Sequence, residues 1–442
     1  MTKAIANGPM YAAVGYLILG VTIATVGPLE YSGFLPTRVF GFILCVAVFF
    51  AVGYYLGVRA PVQRRQGATA AGNARLLRRI FNICIVLTSV VMTFELLRTI
   101  ATGGLTLSFA DAALSYFSAY DGYTRNTGRY SLNFIITSLV APALFVSQIL
   151  GIFYFRKIGL PAKIAVIYLL IVQILVFTLG AGKQKQFADI IIYIVTIIVA
   201  NQASTGRLRM SVLLKAAALI FAGIYVLLVL LANRYGAIGV DLATLNVNLH
   251  PLITYRYDSA LEQYLGPELS FPLVMFSSYL AQGYYGLSLA FEQDFTWTAF
   301  AGSSYSVSVI LNQFFGAPFM VEESYPYIVG ASTGWAETKW HTVFAWLASD
   351  LTFPGVLVFM GFVGFLYGKT WREILLYRNP LSLAVFAMLN IGLAYAPANN
   401  QLMHSPGPLF TLFVVLFLYF RFRARFNAAP AELRTRGVRI RL

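Results

Sequence analysis

Arg234, His250 and Arg256 stand in a polar stretch, residues 233–271, of a chain that is otherwise mostly apolar. Asp241, Asp258, Glu262 and Glu268 share that stretch. Ionisable groups crowded against a bilayer point to a charged substrate at the membrane surface or in a cavity open to it. Lys183, Lys185 and Lys339 fall on the same predicted side as the two arginines. Arginine forks match phosphate oxygens and lysine supplies a point charge, so this cationic set suits a diphosphate-linked lipid. The plainer alternative pairs each arginine with a local carboxylate, such as Arg256 with Asp258 or Glu262. Tyr235, Tyr255, Tyr257 and Tyr264 lie among these charges, where rings could stack on sugars or form an ordinary interfacial belt.

A second group runs from Glu337 to Gly355, ETKWHTVFAWLASDLTFPG. His341 sits where a polar loop becomes an apolar run. Its imidazole could take a proton from a sugar hydroxyl or donate hydrogen bonds to a phosphate. Glu337, four residues earlier, shares its face if the helix begins early. Asp350, nine residues later, needs a partner in so apolar a segment, whether for catalysis or for pairing with another helix. A third group is PANNQLMHSPGP, residues 397–408, whose prolines make a rigid turn. Asn399, Asn400, Gln401 and His404 suit sugar hydroxyls, although a plain polar connector would also read this way.

The elements that must position these groups are membrane helices. The chain has 442 residues, 59% hydrophobic and only 11% charged, against roughly 25% charged in soluble domains. The reading is all-α: one polytopic domain over residues 1–442, with twelve spans near 10–29, 38–58, 80–100, 131–155, 162–180, 187–201, 211–232, 272–291, 297–316, 341–367, 381–396 and 408–421. With both termini cytoplasmic, 23 of the 32 basic residues fall inside. That bias makes the net charge of +15 a matter of topology and lipid attraction, not of nucleic-acid binding. It leaves loops 101–130, 233–271, 317–340 and 397–408 outside, and a basic tail, 422–442, in the cytoplasm. Residues 252–264 are expected to form a short amphipathic surface helix, with Pro251 in its first turn and Leu252, Tyr255 and Leu261 toward lipid. Cys45 and Cys84 read as small apolar core residues. Three scattered histidines offer no metal cluster, so neither a metal nor another cofactor is expected.

These motifs resemble those of the Wzy-like O-antigen and polysaccharide repeat-unit polymerases and the related O-antigen ligases. His341 and Asp350 have the ligase spacing, with Gly355 after them, and Thr342 with Phe344 resembles the Thr-x-Phe element of polymerases. Thr342 replaces the ligase asparagine, and Leu351-Thr352 replaces a Phe-Gly. Leu179-Gly180-Ala181-Gly182-Lys183 resembles the glycine and basic entry to a middle span. The resemblance implies a multi-spanning, GT-C-like, metal-independent glycosyltransferase of the bacterial inner membrane. Its donor and acceptor would be undecaprenyl-diphosphate-linked oligosaccharides on the periplasmic face, and its partners a flippase and a chain-length regulator. The family's functional arginines would map onto Arg234 and Arg256, and its histidine onto His341. Asp258 and Glu337 are further candidates for the base.

Three other readings compete. Transfer to a lipid A core is disfavoured by Thr342. Transfer of single polyprenyl-phosphate sugars is disfavoured because residues 29–37 offer only Glu30 as an acidic residue. A flippase would carry its charges at mid-membrane depth, whereas these lie mostly at span ends.

Overall fold

Backbone in hydrocarbon must satisfy its own hydrogen bonds, so long apolar runs become helices. The computed structural model describes residues 3–62, 70–106, 108, 111, 112, 114–116, 132–257, 259–336 and 339–427. In chain order the helices longer than four residues are α1 (Lys3–Val26), α2 (Pro36–Arg59), α3 (Ala70–Ala101), α4 (Leu132–Phe153), α5 (Leu160–Leu179, ending in a π-helical turn), α6 (Lys185–Ala203) and α7 (Met210–Gly236). They continue as α8 (Ala260–Ala290), α9 (Tyr305–Phe315), α10 (Tyr325–Thr333), α11 (Val343–Tyr377), α12 (Pro380–Ala394) and α13 (Pro406–Phe426). Eight of them, α1 to α7 and α11, are long and apolar enough to cross a membrane, and they coincide with eight of the twelve expected spans. The chain is an all-α polytopic membrane protein. Sheet among the described residues is one antiparallel pair, β1 (Leu29–Tyr31) with β2 (Ile253–Tyr255).

Contacts define two faces of the bundle. On one, the Trp371 indole donates to Ile5 O, Arg372 donates to Val58 O and Ala60 O, and Arg378 reaches Asn201 and Ser204. Asn379 reaches Arg423 O there as well. On the other, loop-rich face, Arg256 donates to Gly27 O, Tyr285 to Ser32 O and Tyr395 to Lys185 O.

Helix α8 does not run between these faces. Phe271 packs on Tyr235 at the end of α7, the Tyr284 hydroxyl donates to Leu17 O of α1, and Ser288 accepts from Leu35 N at the start of α2. Every one of these partners lies toward the loop-rich face, so α8 is a lateral roof. It bends at Gly266 (φ 71°), where the missing Cβ permits a left-handed backbone. The expected span 297–316 is helical only over Tyr305–Phe315. Those 11 residues extend about 16 Å, half a hydrocarbon core. Ten helices therefore run between the faces among the described residues. The two expected spans without a crossing are consecutive, so the described chain still begins and ends on one face.

The centre of the bundle is a parallel pair, α2 with α11. Gly53 lies against Gly361 O, Gly57 against Phe365 O, Gly364 against Phe50 O and Gly368 against Tyr54 O. Small residues four apart let the two backbones touch, the usual way membrane helices gain dispersion energy where no hydrophobic effect operates between them.

Three local expectations are corrected. Residues 252–255 are not helical: Ile253–Tyr255 pairs with Leu29–Tyr31, because that edge offers backbone partners where lipid offers none. Tyr255 is consequently 1% exposed instead of facing lipid. Cys45 is exposed on the bundle surface, not in the core, and Cys84 is half-buried.

Candidate functional site

Arg234 closes the last turn of α7 and is buried. Its guanidinium lies 3.7 Å from the centre of the Tyr116 ring, and Nη2 donates to Gly182 O at 2.6 Å. Gly182 must be glycine: its φ is +62°, and a Cβ there would strike Ala112 O and Tyr116. The glycine-rich segment noted in the sequence thus serves to present a carbonyl to Arg234. No carboxylate among the described residues forms an ion pair with Arg234. Tyr279 of α8 stands beside the guanidinium and packs its ring 5.1 Å from Trp340.

Trp340 leads to His341, which has no exposed surface. Nε2 meets Ala336 O at 3.2 Å, which makes it the protonated nitrogen and leaves the lone pair on Nδ1. Nδ1 has no partner among the described residues and points at Gly286, where a Cβ would come within 2.8 Å of it. Burial pushes the His341 pKa down to about 4, so the ring is neutral at pH 7. The helix does not begin early. Thr342 is its N-cap, accepting from Ala345 N, and Phe344 is buried. Glu337 and Asp258 lie outside the described residues, as do the loop residues Tyr120, Asp121, Arg125 and Arg129.

Trp346, one turn into α11, links the two histidines. Its ring lies 6.5 Å from His341 and 5.8 Å from His404, and His404 stacks on Tyr305 at 5.2 Å. Enclosure pushes the His404 pKa down to about 4 as well. His341 Nδ1, Trp346 Nε1 and His404 Nδ1 are all buried without a partner among the described residues. An unpaired buried polar atom costs about 1–3 kcal/mol, so a row of three is a feature that packing alone does not explain.

Asp350 takes no part in that row. Its Oδ1 accepts from Thr298 Oγ1 at 2.5 Å and Gly302 N at 3.3 Å, and its Oδ2 from Ser303 N at 2.7 Å and Ser303 Oγ at 2.6 Å. The partner it required is the 298–303 loop. Asn400 then donates to Ser303 O, so the 397–408 turn is pinned to the same clamp.

The five cations expected as one set are dispersed. Lys185 pairs with Asp189 at 2.5 Å. Arg256 is exposed and its Nη2 donates to Gly27 O at 2.7 Å, not to Glu262, which instead accepts from the Tyr255 hydroxyl at 3.0 Å. Lys183 and Lys339 are exposed. His250 meets Gly334 O and packs edge-on to Trp335, and Tyr257 donates to Ala243 O, so both belong to the β1–β2 corner. Reading the sequence missed Tyr279 and Trp346. An aromatic in an apolar run looks like core, and only folding shows which rings meet charge.

No family model, curated protein or solved structure matches the chain.

Proposed function

We propose that this chain is a repeat-unit polymerase of the Wzy-like type, transferring a glycan from an undecaprenyl-diphosphate carrier to a hydroxyl of a second lipid-linked unit. One observation carries the reading: a buried arginine with no ion-pair carboxylate among the described residues, leading through Tyr279 and Trp340 to a row of unpartnered ring nitrogens. A buried cation of this kind calls for an anion, and a lipid diphosphate is the anion a membrane presents. In this reading the loop-rich face is periplasmic, both termini are cytoplasmic, and the protein is a GT-C-like enzyme of the inner membrane.

The chemistry follows from the parts. The bond from the anomeric carbon to the diphosphate breaks as the acceptor oxygen attacks from the opposite side, inverting the configuration. Arg234 stabilises charge growing on the departing diphosphate. Neutral His341, with its lone pair on Nδ1, takes the hydroxyl proton. Its neutral state supports the base role over that of a cationic phosphate holder.

The test is reconstitution. The purified chain in lipid should lengthen a lipid-linked oligosaccharide with no nucleotide sugar and no added metal, and lengthening should survive EDTA. Absence of any lengthening with several repeat-unit donors, or lengthening that requires added magnesium or manganese, would overturn the proposal.

A further inference from the structure

A cavity of about 220 Å³ opens between α3, α4, α5, α6, α12 and the start of α13, apart from the Arg234–His341 site. Lys185, the first residue of α6, and Ser405, just before α13, place one end of it near the loop-rich face. Its lining is unusually polar for this depth. Gln148 of α4 donates to Gln173 of α5, which leaves the Gln148 carbonyl and three amide hydrogens of the two side chains in hand. Asp189 is 7% exposed; its Oδ2 takes the Lys185 ammonium, while Oδ1 is buried without a partner among the described residues. Gln186 Oε1 is in the same condition.

We propose that this cavity binds a neutral, hydroxyl-rich group the size of one sugar ring. Charge and hydrogen-bond type select it. Lys185 and Asp189 cancel, so the site carries no net charge. Its two fully buried unpartnered atoms, Gln186 Oε1 and Asp189 Oδ1, are both acceptors, so the ligand must bring donors. An anion would bring more acceptors. A cation would meet the Lys185 ammonium. Hydroxyl groups donate without charge and can also accept from the amides. Phe134, Phe145 and Phe177 supply apolar walls for the C–H face of a ring. Water can fill such a space, but the paired glutamines and the aromatic walls give a ring both an edge and a face to hold.

The experiment reads binding alone, so it stands or falls separately from the transfer reaction. Ser405→Cys, which makes no capping hydrogen bond, is placed in a Cys45→Ser, Cys84→Ser background of the full chain in lipid nanodiscs. The rate of thiol modification is measured with methyl glycosides of glucose, galactose and mannose, with glucosamine, and with glucose 6-phosphate. At least one methyl glycoside should slow modification, about threefold at twice its dissociation constant. The two charged sugars should protect more weakly than that glycoside. Gln186→Leu should weaken the protection, and Asp189→Asn, which uncovers Lys185, should shift it toward glucose 6-phosphate. No protection by any of the three glycosides would overturn the proposal. So would equal or better protection by either charged sugar in the parent protein, or protection unchanged in Gln186→Leu.

Discussion

Arg234 is the residue on which the functional reading rests, and its surroundings say how it should fail. Losing a charge-assisted contact in a dry site removes about 2–4 kcal/mol of transition-state stabilisation, roughly 30- to 1000-fold in rate. Arg234→Ala should therefore abolish polymer at normal membrane level, and Arg234→Lys should rescue poorly, because an ammonium cannot both reach Gly182 O and cover the Tyr116 ring. Polymer near the parent level in the alanine variant would remove the diphosphate role. His341 gives a pH signature. Its folded-state pKa is depressed from 6.5 to about 4, so the stability gained by keeping the ring neutral is present above 6.5 and lost as pH falls toward 4. Thermal melts of the parent should drop across that window, and His341→Gln should reduce the drop, leaving the share of His404, whose pKa is depressed likewise. As the base, His341 should show no activity limb between about pH 6 and 8, and His341→Gln should slow transfer about 10²–10⁴-fold while still binding donor. A rate in His341→Gln equal to the parent's would exclude it. Arg234 and His341 were legible in the sequence because ionisable groups at span ends are rare. Trp346 was not, and neither was the use of Gly182, since a carbonyl's partner is a property of the fold.

Helices α2 and α11 show what an element can hide. The spacing Gly53-x3-Gly57 and Gly364-x3-Gly368 is present in the chain, yet glycines in apolar runs are common, and nothing local says which helix each pair faces. Gly57→Val would push side-chain atoms into Phe365 O. Overpacking costs about 1–3 kcal/mol where side chains can yield, and a backbone carbonyl yields less. Gly57→Val should thus deplete the folded, monodisperse peak on size-exclusion chromatography, while Gly15→Val, with nothing within 4 Å of the added carbon, should not. Equal yields of the two would show that this contact is dispensable. Helix α8 misleads for a different reason. Val274, Met275, Tyr284 and Tyr285 are buried by protein, and burial under protein demands the same apolar composition as burial in lipid. The β1–β2 pair was equally hidden, because its two strands of three residues lie more than 200 residues apart.

The two expected spans without a crossing are neighbours in the chain, so the orientation proposed from the basic residues is compatible with ten crossings as it was with twelve. That makes Asp294 decisive. Twelve crossings would place it on the same side as Lys3 and Arg59, whereas a lateral α8 keeps it on the loop-rich face with Ser32 and Gly334. Asp294 is exposed, so in the proposed orientation Asp294→Cys in intact cells should react with an impermeant maleimide before the membrane holding the protein is opened. Reaction only after opening would restore the crossing over 272–291. The parallel α2–α11 pair also carries a consequence in time. Synthesis runs at about 5–20 residues per second, and the two halves of this contact are roughly 300 residues apart, so α2 leaves the ribosome some 15–60 s before its mate. Through that interval its row of glycines faces lipid or whatever attends newborn membrane chains. The centre of the protein is thus completed only when α11 arrives, and a ribosome that stalls before it would leave a nascent chain whose earlier helices are inserted but have nothing to close upon.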